Sequence, residues 1–149
     1  MDAQSNKAQR TAEAVSKAML TGDKLAVWLG VELVDVAPGR VVLKMTVRED
    51  MLNAVNIGHG GVTFSLADVA FAMACNTHNK TMVAQTCTVN FMGPANLGDE
   101  LTVTCEETCL QGRSGIYDAV VTNQKGEEIA FFRGQSRGIP GQIIPTLPE

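Results

Sequence analysis

The chain has 149 residues, 45% of them hydrophobic and 19% charged, with a formal net charge of −4. That length fits one domain able to bury roughly two-thirds of its unfolded surface, so the core needs neither a metal nor disulfides. Aromatics are 5%, with a single tryptophan, Trp28, and no stretch is strongly basic, which argues against a nucleic-acid surface. An acidic average still permits one local basic pocket for a phosphate.

The four cysteines, Cys75, Cys87, Cys105 and Cys109, form no CxxC pair, and only His59 and His78 are available as extra ligands. A zinc site is not expected, and the cysteines read as small core residues in a reducing compartment. The polar stretch Met1 to Arg10 has no apolar run like that of a signal peptide, and no run of eighteen apolar residues marks a membrane span. A cytoplasmic location is the default expectation.

Residues 5–20 read as a helix, with Ser5 as N-cap and Ala8, Ala12, Val15 and Met19 along one face. Asp23 is placed to cap a second short helix, Lys24 to Leu29, closed by Gly30. The amphipathic stretch Met19 to Trp28 is a candidate lid. A strand from Val31 to Ala37, a Pro38-Gly39 turn and a second strand follow, with Val41, Leu43, Met45 and Val47 on the core face. From Gly60 to about His78 the residues are apolar nearly all round, which predicts a helix buried on most sides. Then come strands from Thr81 to Met92, Glu100 to Gln111, Ile116 to Asn123 and Glu128 to Arg137. In the second of these, Leu101, Val103, Cys105 and Cys109 are expected to share a face. No helix separates these four strands, so they are expected to form an antiparallel meander around the helix, an α+β arrangement. Residues 1–24 form an N-terminal helical segment, 25–138 the main domain, and 139–149 a tail expected to hang free or pack loosely.

The chemistry concentrates at Asn56-Ile57-Gly58-His59-Gly60-Gly61, followed by Ser65-Leu66-Ala67-Asp68. The glycines admit two readings. One is turn geometry at a helix entry. The other is that the N–H groups of Gly60 and Gly61 stand free at the positive end of a helix, able to hold an oxyanion. Asp68 lies inside the apolar helix, and Phe64, Ser65, Phe71 and Ala72 give it no local cation. It either meets a donor from elsewhere or is a positioned nucleophile or general base. Eight residues separate Gly60 from Asp68, roughly 12 Å along a helix axis. If the two act on one carbonyl, two antiparallel copies of the helix must share each site, and the protein is a dimer.

The run HGGxxFSLADxAFAxACN, here His59 to Asn76, resembles the hotdog-fold thioesterases of the phenylacetic acid degradation type. Met51-Leu52-Asn53, Cys87 to Phe91, Gly115 to Asp118 and Phe131 to Gly134 are similar to that family too, so the resemblance runs from about Leu25 to Arg137. It implies the hotdog fold, a long central helix wrapped by an antiparallel β-sheet. It also implies hydrolysis of acyl- or aryl-CoA thioesters by a homodimer, assembled as a dimer of dimers. Carried over by position, Gly60 supplies the oxyanion N–H beside His59, and Asp68 of the other subunit is the catalytic carboxylate. Asn53 lies near the thioester or the attacking water, and Thr86 helps to orient that water.

A thioester has an electrophilic carbonyl and a good leaving group, so a carboxylate and N–H donors suffice without a Ser-His-Asp triad; no GxSxG occurs here. No cofactor is expected beyond the coenzyme A of the substrate, and no metal, nucleic-acid or membrane partner. Its phosphates call for cations or free N–H groups, for which Gly61, Gly93, Pro94, Gly112, Arg113, Ser114, Gly115 and Arg137 are candidates. The competing readings are a non-catalytic acyl-CoA-binding hotdog module, which has no need of Asp68, and a hotdog hydratase. The hydratase needs a histidine soon after the aspartate, whereas the next one here is His78.

Overall fold

The computed structural model describes residues 3–147. Helix α1 (Ala3–Gly22) leads into α2 (Lys24–Leu29). Ser5 sits inside α1, one turn later than a cap would. Ala12 and Val15 are buried as expected, while Ala8 is exposed. Asp23 caps α2, its Oδ1 accepting from the Leu25 and Ala26 amides at 2.9 and 3.1 Å, and Gly30 closes it at φ 70°. Arg48 donates to the Leu29 and Trp28 carbonyls at that end, and its guanidinium lies 5.2 Å from the Trp28 ring centre.

Strands β1 (Glu32–Ala37) and β2 (Arg40–Thr46) form the expected hairpin, with Val41, Leu43 and Met45 buried. Helix α3 (Gly60–Asn76) is followed by β3 (Met82–Phe91), β4 (Glu100–Gln111), β5 (Ser114–Thr122) and β6 (Glu128–Gly138). All six strands form one antiparallel sheet in the order β1-β2-β4-β5-β6-β3. The expected four-strand meander is therefore corrected: β4, β5 and β6 form it, while β3 lies on the far edge against β6. The β3–β4 connection has no two-residue turn signal. Its eight residues cross three strand spacings of ~4.8 Å each, well within the reach of an extended chain.

α3 lies against the concave face, its Leu66, Ala67, Ala70, Phe71 and Ala74 fully buried. Phe71 packs against Tyr117 and Phe132, each ring centre 5.7 Å away, and over Gly134, where a Cβ would come within 2.7 Å of its ring. Burying a phenylalanine of this kind contributes about 1.5–3 kcal/mol. Asn76 ties the end of α3 to β3 by a reciprocal pair with Met82, 2.9 and 3.0 Å.

One further expectation is corrected. Cys109 is exposed and does not share the face of Leu101, Val103 and Cys105, because a bulge between Glu107 and Cys109 reverses the alternation. Of the two alternatives for the tail, Ile143 and Ile144 take the packed one. The Asn79 amide accepts from the Ile143 and Ile144 N–H groups and donates to the Ile144 carbonyl.

Candidate active site

The first turn of α3 is held by its own sequence. His59 is the N-cap, and its Nδ1 accepts from the Gly61 amide at 2.9 Å. The Val62 and Thr63 amides turn to the His59 carbonyl at 2.9 and 3.4 Å. The Gly58 and His59 amides are taken by the Ala95 and Met51 carbonyls at 2.6 and 2.8 Å. Among the described residues the Gly60 N–H alone is left without an acceptor in this turn. Gly61 is thus corrected: its amide is capped, not offered to a ligand. The cap also fixes the tautomer, since an accepting Nδ1 puts the proton of the neutral ring on Nε2.

Neither Gly60 nor Gly61 has a positive φ, so turn conformation does not explain them. Close approach does. A Cβ at Gly61 would lie 3.0 Å from His59 Nδ1, and one at Gly60 3.1 Å from the Phe91 ring. Phe91, at the end of β3, therefore lies over the Gly60 Cα.

Asn53 closes the preceding loop. Its Oδ1 accepts from the Val55 and Ile57 amides at 3.0 and 3.3 Å. That leaves its amide Nδ2 as the donor available to a ligand.

Asp68 projects from the middle of α3, half-buried, toward β3. Burial is the main cause that raises its carboxyl above the ordinary carboxylate value. The charge of Asp23, at the α1–α2 junction, adds to this, and a hydrogen bond from the Cys87 thiol opposes it. No cation is among the groups that shift it. The Cys87 contact is 3.9 Å, from Sγ to Oδ1. Sequence reasoning did not place Cys87, Phe91 or Asp23 here. Strand alternation with the half-buried Val89 was the one signal that put Cys87 on the helix side.

Thr86 does not join this group within the chain. It pairs with Gln135, between the inward-facing Gly134 and Ser136, so it lies on the outer face of the sheet.

The residues selected for phosphates fall into two groups. Gly112, Arg113, Ser114 and Arg137 lie at the Met82–Gly138 end of the sheet. There Lys80, Gly112 and Arg113 line a cavity of about 360 Å³ with no carboxylate in its wall. Arg113 Nε and Nη2 are engaged by the Gly138 carbonyl, at 3.1 and 2.9 Å. Gly115 is buried against Tyr117 and Ser136 and serves packing, a correction to its place among ligand contacts. Gly93 and Pro94 lie at the other end of β3, where the Gly93 amide bonds to Ile129. Ten residues of strand, about 30 Å, separate the two groups. Among the described residues no group of three or more His, Cys, Asp or Glu is set to hold a metal, and no helix is long and apolar enough to cross a membrane.

Residues 56–130 match the family model described as the thioesterase superfamily. The chain is 41% identical over 126 residues to the acyl-coenzyme A thioesterase PaaI of Escherichia coli K12, covering 85% of this chain and 90% of that protein. The solved structure of the E. coli PaaI protein, from the phenylacetic acid degradation operon, superposes with a TM-score of 0.87, covering 89% of this chain and 96% of that one at 39% identity. Human acyl-coenzyme A thioesterase 13 is 32% identical over 124 residues, 81% of this chain and 88% of that protein. The chain belongs to the thioesterase superfamily and is a hotdog-fold acyl-CoA thioesterase of the phenylacetic acid degradation type.

Proposed function

We propose that the chain hydrolyses phenylacetyl-, hydroxyphenylacetyl- or similar small aryl- and acyl-CoA thioesters to the free acid and coenzyme A, at sites shared by two subunits. The observation that carries this reading is a free Gly60 amide at the start of α3 with a half-buried Asp68, shifted by no cation, two turns on. The thioester oxygen accepts from the Gly60 N–H at the positive helix end, where negative charge develops in the transition state. Asp68 takes a proton from the attacking water as its oxygen bonds to the carbonyl carbon. The C–S bond then breaks, and the leaving thiolate receives the proton. The Asn53 Nδ2 donates to the thioester or to the water. These groups are sufficient for the chemistry, which draws on no cofactor or metal.

The two groups stand about 12 Å apart along one helix, so one chain does not bring both to one carbonyl. A second copy does. β3 has one open edge, and its sequence, Met82 to Phe91, holds no charge and no proline to guard it. The other edge, β1, carries Glu32 and Asp35 and is packed by α1. Antiparallel pairing of two β3 edges about a two-fold axis runs the two α3 helices antiparallel and sets each Asp68 toward the other's Gly60. It also brings Gly93 and Pro94 of one copy toward Arg113, Ser114 and Arg137 of the other, uniting the two phosphate groups. The human relative is likewise named an acyl-coenzyme A thioesterase.

The test is thiol release from a panel of phenylacetyl-, hydroxyphenylacetyl-, benzoyl- and straight-chain acyl-CoAs, with subunit mixing. Asp68→Asn and Gly60→Pro, each alone, are expected to lose about 10²-fold or more. Refolded together, they are expected to recover about a quarter of wild-type activity, because half the dimers are mixed and one site in each is intact. Mixtures as inactive as the separate variants overturn the shared site. A wild-type protein that binds the thioesters but frees no thiol overturns the substrate class.

A further inference from the structure

We propose that Cys87 is a positioning residue for the catalytic carboxylate: its thiol donates to Asp68 Oδ1 and leaves the other carboxylate oxygen to the substrate water. The inference rests on Asp68 being the base in the reading above. Cys87 lies on the helix-facing side of β3, half-buried, with Sγ 3.9 Å from Oδ1. That is within the reach of a sulfur donor. Among the described residues it is the one hydrogen bond the Asp68 side chain receives.

The other titratable groups around Asp68 do not hold it. Asp23, from the α1–α2 junction, repels it, and Cys75, one turn and three residues further along α3, is a buried thiol pushed up to about 12. A carboxylate with neither cation nor amide to fix it would be free to rotate, and a misplaced base loses the gain of orientation. The thiol supplies the missing constraint from the same chain, so each Asp68 arrives at the subunit interface already oriented.

The contact also decides which of two adjacent nucleophiles does what. Attack on a thioester needs the thiolate, and Cys87 is pushed upward first by burial and then by the Asp68 charge and the hydrogen bond to it. It stays S–H at neutral pH, so it donates and Asp68 accepts. Stabilising the charged form of Asp68, the thiol works against burial and Asp23, which raise it.

Cys87→Ala, Cys87→Ser and Asp68→Asn are compared by thiol release from pH 4 to 9, with melting curves to verify folding. Removing the donor is expected to move the acid limb of kcat/KM upward by about half a unit, less than the roughly one unit an N–H donor is worth to a carboxylate. The plateau kcat of Cys87→Ala is expected to fall several-fold with KM unchanged. The serine hydroxyl still donates, so the limb of Cys87→Ser is expected to stay nearer wild type than that of alanine. Limbs of both variants coinciding with wild type overturn the inference. So does a Cys87→Ser enzyme as inactive as Asp68→Asn, which would make the thiol the nucleophile. Full activity of Asp68→Asn would instead remove the reading beneath it, and this inference with it.

Discussion

Gly60 offers a way to delete one proton and little else. It is the first residue of α3, directly after the His59 cap, and proline is favoured at that helix position because the missing N–H is unpaired there anyway. His59 already has φ −60° and ψ 132°, the extended conformation that a residue before proline adopts. The Gly60 amide has no acceptor, so Gly60→Pro breaks no hydrogen bond of the fold. The new Cβ meets the Phe91 ring at 3.1 Å. That ring is 53% exposed and is the far end of a side chain, so it can yield by a few tenths of an ångström. Gly60→Ala meets the same ring but keeps the N–H, which makes it the matched control. Thiol release by Gly60→Pro is expected to fall about 10²–10³-fold in kcat relative to Gly60→Ala, the scale of one oxyanion donor. The two should melt within a few degrees of each other. Equal kcat values for the two folded variants would refute the assignment of the Gly60 amide.

His59 caps the helix, so His59→Asn, which retains an N-cap oxygen, should keep most of the activity. His59→Ala should lose about 1 kcal/mol of stability and several-fold in kcat; equal losses in both would mean that the imidazole itself touches the substrate. The folded-state pKa of Asp68 lies above its ordinary 3.8, so its ionised form weakens the fold at neutral pH and ceases to do so as pH falls below that value. Asp68→Asn should therefore melt above wild type at pH 7, with the gain vanishing below about 3.8; a lower melting point at pH 7 would contradict the desolvation account. Thr88→Lys places a charge on the unguarded β3 edge, and light scattering should show dissociation together with loss of thiol release; an active, unchanged oligomer would remove β3 from the interface. Replacing Arg113 and Arg137 by alanine should raise KM for an acyl-CoA by about 10-fold or more, the scale of a lost charged hydrogen bond. A thioester of N-acetylcysteamine, which lacks the nucleotide, should be unaffected.

What could be read along the chain was local. Asp23 as a cap, Gly30 as a stop, the alternation of β2 and the apolar run of α3 each depend on residues within a few positions of one another. Asp68 stood out for the same reason, since its helical neighbours at three and four positions offer no cation. What could not be read was long-range. Whether β3 pairs with β4 or β6 depends on where an eight-residue connection goes, and no residue in it encodes that path as a two-residue turn would. The bulge beside Thr108 inverts Cys109 without any glycine to announce it. Both glycines at the start of α3 were legible as special, but only the approach of Phe91 and the His59 ring separates their roles.

Two features of α3 bear on the proposed reaction. The first amide of a helix is ordinarily without a partner, and here the cap takes the Gly61 amide and leaves Gly60 as that open amide, with no side chain of its own beside it. A core helix would ordinarily be apolar at position 68, and here a carboxylate is held there against burial and against Asp23. Each feature alone has a bland explanation, because a single free amide or a single half-buried acid is common. In the proposed reading they are an electrophile-binding end and a base on one rod, too far apart to serve the same carbonyl in one copy. Local choices that oppose the global fold tend to mark functional sites. The long uncharged edge of β3 is a further departure, and it points the same way. It costs solubility as a free surface, and the proposed pairing with a second β3 would both cover it and bring amide and carboxylate together.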